Sequence, residues 1–578
     1  MRWLGIKGIP LFHMITQQVF AKYATLSILF LAALPVCAGK IEPQSDLLVG
    51  RHHGDYAAQA KATKTEQRQN TFDVKSYSIQ LRVDPAAKII SGSVTIKAIA
   101  TSSILNSIAV DLADNMKVVS VKSEGRDLKF NHQNDQIEIT LARRYKGRSS
   151  FEVTINYQGQ PKGDGFSFGE HASVPMISTY GVPFSAQQWW PCKDTPLDKA
   201  DSLDLEITVP SSLVAAANGK LVKQNGNDDG TRTFFWSVRY PIYPDTVSLA
   251  ITNYQIFTLP YQYSANGSMD MTFYVYPEDL EKAKVDFGVL PAMMKNHAAI
   301  FGQYPFLKEK YGVAEFAVRS FREHQTLPSY GAPLITGDHG NDFILAHELA
   351  HQWFGNAISV KSWSHIWLNE GFATYAYALW REHTGGLKEY LAAMKKFDRG
   401  EFQDSVFVQD PTDASKLFTP TTFNKGAWVL HMLRHVMGDE KFFRTLKQYV
   451  KQYSYKNADT EDFQAVCEKA YGQPLGWFFK QWVYGINRPE YEYQWTTANA
   501  NGKRIIKLTI NQTQTNGGLF RTPLDIVVTT ASGEKKFVVW DELKSQSFEL
   551  TVEGDVKQLQ IDPDGWVLKK IKESGPGR

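Results

Sequence analysis

Phe343-Ile-Leu-Ala-His347-Glu348-Leu-Ala-His351-Gln-Trp-Phe-Gly355, followed at Trp367 by Trp-Leu-Asn-Glu370-Gly-Phe-Ala-Thr-Tyr375, is the stretch on which the rest of the chain turns. Asn341 or Asp342 gives a helix start signal and Gly355 a stop signal. In a helix, residues four apart share a face, so His347 and His351 point the same way. Two neutral imidazoles one turn apart can fill two corners of a tetrahedral zinc site, and Glu348, beside the first, is placed to reach a water held there. A catalytic zinc needs a third protein ligand and an open corner. Glu370 is expected to be that ligand, early in a second helical run that ends near Glu382, before Thr384-Gly385-Gly386. The competing reading, two buried histidines with ordinary hydrogen bonds, is weakened because this pattern with a later glutamate seldom arises by chance.

Eighteen residues separate His351 from Glu370. His347-Glu348-x-x-His351 with Asn369-Glu370 at that distance resembles the zinc signature of the metallopeptidase family of aminopeptidase N and leukotriene A hydrolase, the gluzincin aminopeptidases. Ala186-Gln-Gln-Trp-Trp-Pro-Cys-Lys-Asp-Thr-Pro196 resembles that family's amino-terminal domain, Lys425-Gly-Ala-Trp-Val-Leu430 its later catalytic helix, and Asp562-Pro-Asp-Gly565 its closing strand. The resemblance implies an α+β multidomain chain with an amino-terminal antiparallel β domain, a central thermolysin-like, mostly helical zinc domain and a small carboxy-terminal β-sandwich. It also implies a zinc-dependent aminopeptidase, one zinc per chain on His347, His351 and Glu370. Such an enzyme removes amino-terminal residues from peptides with water activated by the metal and Glu348 as general base. Ser320-Phe321-Arg322-Glu323-His324 aligns with the family's exopeptidase signature, Gly-Ala-Met-Glu-Asn or Gly-Gly-Met-Glu-His. Glu323 would then pair with the free α-amino group, with His324 beside it in the substrate site.

Three departures stand against that pattern. Ser320 and Phe321 put side chains where glycine lets a substrate backbone lie close. Val182 takes the place of an amide or acid of the amino-terminal domain that helps hold the amine, and Phe423 the place of a tyrosine that donates to the forming oxyanion. Loss of one such donor typically costs about 10² to 10³ in turnover. The second reading is therefore a weakened zinc-binding pseudo-peptidase that binds peptides or partners.

At 578 residues the chain is too long for one core. Hydrophobic residues at 43%, charged residues at 21% and a net charge of +3 describe an ordinary globular protein, and no basic run points to nucleic acid. Peptides are the expected partners, and the oligomeric state is open. Ala24 to Val36 is an apolar run too short to cross a bilayer, preceded by Arg2, Lys7 and Lys22 and ending in Val36-Cys37-Ala38. An export signal cleaved after Ala38 is expected, giving a periplasmic or extracellular protein without a transmembrane span. A lipidated Cys37 or an uncleaved signal would instead tether it to a membrane, although Pro35 and Val36 suit a lipid-attachment box poorly. Cys192 and Cys467 would remain, outside any metal-binding spacing, and buried free thiols are expected.

The organisation follows from periodicity. Residues 1–38 are expected to be a signal peptide, and 39–70 a polar linker without pattern. Alternation at Tyr77, Ile79, Leu81 and Val83, and again at Val94 and Ile96, Ile137 and Ile139, and Val153 and Ile155, places an antiparallel β domain over 71–260. Helical periods dominate 261–487, with helices expected from Glu278 to Phe301, Lys425 to Met437, Lys441 to Tyr453 and Thr460 to Tyr471. The zinc stretch, apolar nearly all round, should lie at the centre of that domain. Alternation returns over 488–570 as a small sandwich.

Overall fold

The computed structural model describes residues 69–574, apart from positions 164, 182, 400 and 501. The export-signal, linker and Cys37 expectations, and Val182, fall outside the described residues. Among the described residues no helix is long and apolar enough to cross a membrane.

Alternation builds the amino-terminal part as expected. In the strand Phe72–Asp84, Tyr77, Ile79, Leu81 and Val83 are buried and Ser78, Gln80 and Arg82 are exposed. This strand lies inside an eight-stranded sheet, between Ile89–Ala100 and Ser202–Pro210. Its pairing with Ser202–Pro210 is parallel, Ile79 facing Leu205, the exception in an otherwise antiparallel sheet. The chain between the two builds a three-stranded sheet and half of a four-stranded one, which supplies the long return that a parallel neighbour requires. The Ala186–Pro196 segment closes this core, with Trp189 and Trp190 fully buried and the Tyr77 ring meeting Trp190 edge-on at 4.9 Å.

Three buried aspartates fasten that segment. Asp245 accepts from the backbone N–H groups of Phe184, Ser185 and Ala186 at 3.1, 2.9 and 3.3 Å. Asp111 accepts from Gln69 Nε2 and from Asp194 N, at 2.6 and 2.9 Å, and Asp194 accepts from Gln187 N at 3.1 Å. Cys192 and Cys467 are buried free thiols.

The helical part contains its own sheet, ordered Gln255–Ser264, Gly267–Val275, Tyr311–Phe316, Ser329–Gly331 and Phe321–Arg322, with parallel pairing in the middle. Met271 and Phe273 of this sheet share one core with the helices Leu290–Phe301, Asp342–Ala350, Trp367–Lys396, Gly426–Met437 and Asp439–Tyr453. The run expected as one helix from Glu278 to Phe301 is two, Leu280–Phe287 and Leu290–Phe301. Gly288 ends the first and Pro291 sits in the first turn of the second, where its missing N–H costs nothing. Gly386, at φ 73°, breaks Trp367–Lys396 where the glycine pair suggested an end. Before Gly426 the chain makes a wide π turn over Thr421–Lys425.

Two glycines set the helix spacing at the centre. A Cβ on Gly371 would stand 2.9 Å from Gly426 Cα, and one on Gly426 2.9 Å from Gly371 Cα. The helices therefore meet backbone to backbone one residue after Glu370. Lys199, from the amino-terminal part, donates to the carbonyls of Asn356 and Ala357 at 2.8 and 2.9 Å, just past the His347 helix. The carboxy-terminal sandwich pairs a four-stranded sheet with a three-stranded one. Its Asp562–Gly565 turn packs on the Gly426–Met437 helix, where the Trp566 ring stacks on His431 at 4.8 Å and His431 Nε2 lies 3.1 Å from Gly565 O.

Candidate metal centre and substrate edge

The helix Asp342–Ala350 is buried at every position from Phe343 to Ala350, which accounts for its apolar sequence on all sides. Asp342 in the first turn complements the helix dipole. The regular helix stops at Ala350, but His351 keeps helical angles, φ −58° and ψ −22°, and its N–H bonds to His347 O at 3.2 Å. The one-turn relation of the two imidazoles is thus preserved at the very end of the helix. Gly355, at φ 127°, then turns the chain, and a Cβ there would stand 3.2 Å from His351 Nδ1.

His351 Nδ1 lies 3.0 Å from Phe354 O, an atom that can only accept, so Nδ1 carries a proton and Nε2 is the nitrogen turned to His347 and Glu370. The two Nε2 atoms are 2.9 Å apart, and Glu370 Oε2 stands 3.3 Å from that of His347 and 3.5 Å from that of His351. His347, Glu348 and His351 each bring a ligand atom into one group within 4.8 Å. Both carboxylate oxygens of Glu348, both of Glu370 and Nδ1 of His347 are buried without a hydrogen-bond partner. Buried carboxylate oxygens crowded together with so few donors are costly unless a cation sits among them. Donors about 3.3 Å apart are what four-coordinate zinc with bonds of about 2.0 to 2.1 Å requires. These residues therefore fit a zinc ion.

The electrostatics agree. Burial, and then the neighbouring His351, hold the His347 imidazole low, to about 4. Burial opposes charge on His351 as well, but Glu370, Glu323 and Glu348 outweigh it and raise its pKa to about 10. Burial pushes the Glu348 carboxyl well above its ordinary range. Positive charge is drawn to the middle of this group.

Phe321 and Glu323 face the metal group, and Arg322 and His324 face the amino-terminal part. The Phe321 ring meets His347 at 6.2 Å, and the carboxyl of Glu323, held up chiefly by burial, feels His351 and Glu370. Glu323 O accepts from Asn356 Nδ2 at 2.8 Å, which ties this strand to the turn after His351. The His324 ring instead lies against Ser329 Oγ at 3.2 Å and beneath Gly181, whose added Cβ would stand 3.1 Å from it. The structure therefore brings Glu323 to the metal group and turns His324 away, because neighbours on an extended segment point to opposite sides. Phe423 stacks on His347, centroids 5.8 Å apart and planes 17° from parallel, an apolar ring directly against a candidate ligand.

A model described as the peptidase family M1 domain matches residues 336–482, and one described as the peptidase M1 N-terminal domain matches 74–243, together more than half of the chain. The chain belongs to peptidase family M1. Among M1 relatives, aminopeptidase M1-B of Oryza sativa subsp. japonica is 25% identical over 546 residues, 86% of this chain and 59% of the relative. The probable aminopeptidase 2 of Sulfurisphaera tokodaii is 25% identical over 484 residues, 78% of this chain and 58% of the relative. The chain spans about half the length of the curated relatives it matches. The M1 zinc metallopeptidase of Deinococcus radiodurans, solved with a Tyr-Ser-Ala substrate, is similar at a TM-score of 0.63 and 25% identity over 73% of this chain and 96% of that one. Aminopeptidase A of Legionella pneumophila shares the fold at a TM-score of 0.74 and 18% identity, over 87% of this chain and 60% of that one.

Within this M1 fold, two residues beside the site carry no mark of their place in the local sequence. Tyr243 comes from the turn that leads into Asp245, is buried, and has its hydroxyl pushed up by burial and then by Glu323, Asp245 and Glu370. Only tertiary folding brings it there, and nothing in Tyr240-Pro-Ile-Tyr243-Pro-Asp245 marks it. Arg322 stood in the quoted motif, but its side chain has a visible role only once Tyr180 is found beneath it at 5.2 Å.

Proposed function

We propose that this M1 chain is a zinc aminopeptidase that hydrolyses amino-terminal residues from peptides, with zinc held by His347, His351 and Glu370. The observation that carries the reading is the convergence of two imidazole Nε2 atoms and one buried carboxylate oxygen within 2.9 to 3.5 Å of one another. The bound ion would polarise the scissile carbonyl and acidify water. Glu348, with both oxygens unengaged and its carboxyl raised by burial, is the proton acceptor and then the donor to the leaving amine. Glu323 ends the edge strand Phe321–Arg322 and takes the free ammonium of a peptide lying along that edge. An ammonium held there admits one residue between Glu323 and the reacting carbonyl, which confines cleavage to the first peptide bond. An export signal ending at Ala38 would place this activity outside the cytoplasm.

Elemental analysis of the purified protein together with hydrolysis of aminoacyl anilides tests the reading. About one zinc per chain, hydrolysis lost in Glu348→Gln with metal retained, and no cleavage of amino-acetylated peptides are expected. Cleavage of blocked and free peptides alike would remove Glu323 from its role. The Phe423 ring, set against His347 where a hydroxyl would aid catalysis, favours a second reading in which the chain binds zinc and peptides without turning them over. Peptide binding by zinc-loaded protein with no product would decide for that second reading.

A further inference from the structure

Arg322 has no task in the mechanism above, yet it is only 8% exposed. A guanidinium buried so far ordinarily meets a carboxylate. Among the described residues none forms an ion pair with it. Its Nη1 donates to Ser320 Oγ and Phe321 O at 2.8 and 2.6 Å, and its plane covers the Tyr180 ring at 5.2 Å. Among the described residues Nε and Nη2 meet no acceptor, and neither is sealed from solvent in the way that Nε of Arg232 and Nε of Arg488 are. Two donors of a planar fork are left open. That fork matches a carboxylate in shape as well as charge.

Its place in the site says what would bring the carboxylate. Arg322 directly precedes Glu323, and its charge reaches both Glu323 and Glu348. The loop at Tyr180 and Gly181 closes the far side, with Gly181 against the His324 ring. A dication and one guanidinium balance the three buried carboxylates Glu323, Glu348 and Glu370. A lone ammonium therefore gains less at Glu323 than it would without Arg322, whereas an ammonium with a carboxylate beside it gains at both ends.

We infer that Arg322, with Tyr180 as its floor, is a specificity-determining residue that binds a substrate carboxylate within one residue of the free amine. The inference rests on the aminopeptidase reading and names its substrate class: peptides that present ammonium and carboxylate together. The carboxylate has two sources, an acidic first side chain or the terminal carboxylate of a dipeptide.

Steady-state kinetics of the zinc-loaded full chain separate them. If the side chain supplies the group, kcat/KM for glutamyl anilide exceeds that for glutaminyl anilide by about tenfold or more. If the terminus supplies it, Ala-Ala exceeds Ala-Ala-amide by a similar factor while the two anilides are alike. In either case Arg322→Gln abolishes the preference mainly through KM, and Arg322→Lys keeps part of it. A second measurement is independent of turnover. Zinc-loaded Glu348→Gln protein should bind Glu-Ala more tightly than Gln-Ala, or Ala-Ala more tightly than its amide, and lose that difference when Arg322→Gln is added. Acid-selective binding without any hydrolysis overturns the aminopeptidase reading and keeps the subsite. Equal treatment of acid and amide on every arm, or a preference unchanged in Arg322→Gln, overturns the subsite.

Discussion

Among the described residues, Asp111, Asp194 and Asp245 form one group of three buried carboxylates and Glu323, Glu348 and Glu370 another, and the chain treats them in different ways. Asp111, Asp194 and Asp245 are met by the chain's own donors, three of them backbone N–H groups on Asp245 alone. Glu348 and Glu370 are equally buried, and apart from the His347 and His351 rings at 3.3 and 3.5 Å from Glu370 no donor meets their oxygens among the described residues. The first arrangement fastens a loop, although Asp194 Oδ1 remains buried without a partner. The second is complete only with something brought from outside, and the two imidazoles beside it say what that is. What separates these two groups is how many of their oxygens meet donors, and not how deeply they are buried.

The contrast can be broken at its sharpest point first. Glu348→Gln should lower turnover by about 10² to 10⁴ with zinc content and melting temperature nearly unchanged, since nothing in the protein depends on those oxygens. A large drop in melting temperature would place Glu348 with the structural acids. Asp245→Ala should do the reverse: three buried N–H groups lose their acceptor, and unfolding in urea should show a loss of about 2 to 4 kcal/mol, with zinc still bound. Chelating the metal from wild-type protein should leave the aspartate group intact, so the melting temperature falls and returns on adding zinc. A melting temperature indifferent to the metal would mean that the carboxylates at the centre are matched by some other means.

Two smaller effects sharpen the comparison. Burial raises the Asp111 carboxyl to about 6, against its hydrogen bonds to Asp194 N and Gln69. The folded chain then holds that proton more tightly than the unfolded chain. Its contribution is present in full below the unfolded pKa of about 3.9 and is lost as pH rises to about 6, a change of about 2 kcal/mol. Urea denaturation between those pH values should show that slope in wild type and less of it in Asp111→Asn. Identical slopes would mean that Asp111 titrates alike in both states. Last, Phe423→Tyr should raise kcat by about three- to tenfold if the ring beside His347 stands where the oxyanion forms. An unchanged kcat would indicate that another donor, Tyr243 being the nearby candidate, already serves.

How much of this was legible in the sequence follows from the range of each signal. The meeting of His347, His351 and Glu370 could be read because two of them share a helix face and the third opens the next helix. The sheets could be read because burial alternates residue by residue along Phe72–Asp84. The parallel partner of that strand could not, since alternation reports faces and not neighbours. Nor could the break at Gly288, where an apolar pattern runs across two helices, or the π turn before Gly426. Glu323 and His324 were expected together, but adjacent residues on an extended strand face opposite ways, which local sequence showed only if the strand was known to be one. Tyr243 and the Tyr180 floor under Arg322 depend on the amino-terminal part folding against the helical part, and no local pattern encodes that.

The bare contact of Gly371 with Gly426 leaves no slack at the middle of the molecule. A methyl group at either position would act as a wedge between two rods, and the first thing displaced would be the acid one step before Gly371. Mutations at these glycines would then look like defects in ion retention although neither residue touches the ion. In a screen for lost activity they would be mistaken for ligands.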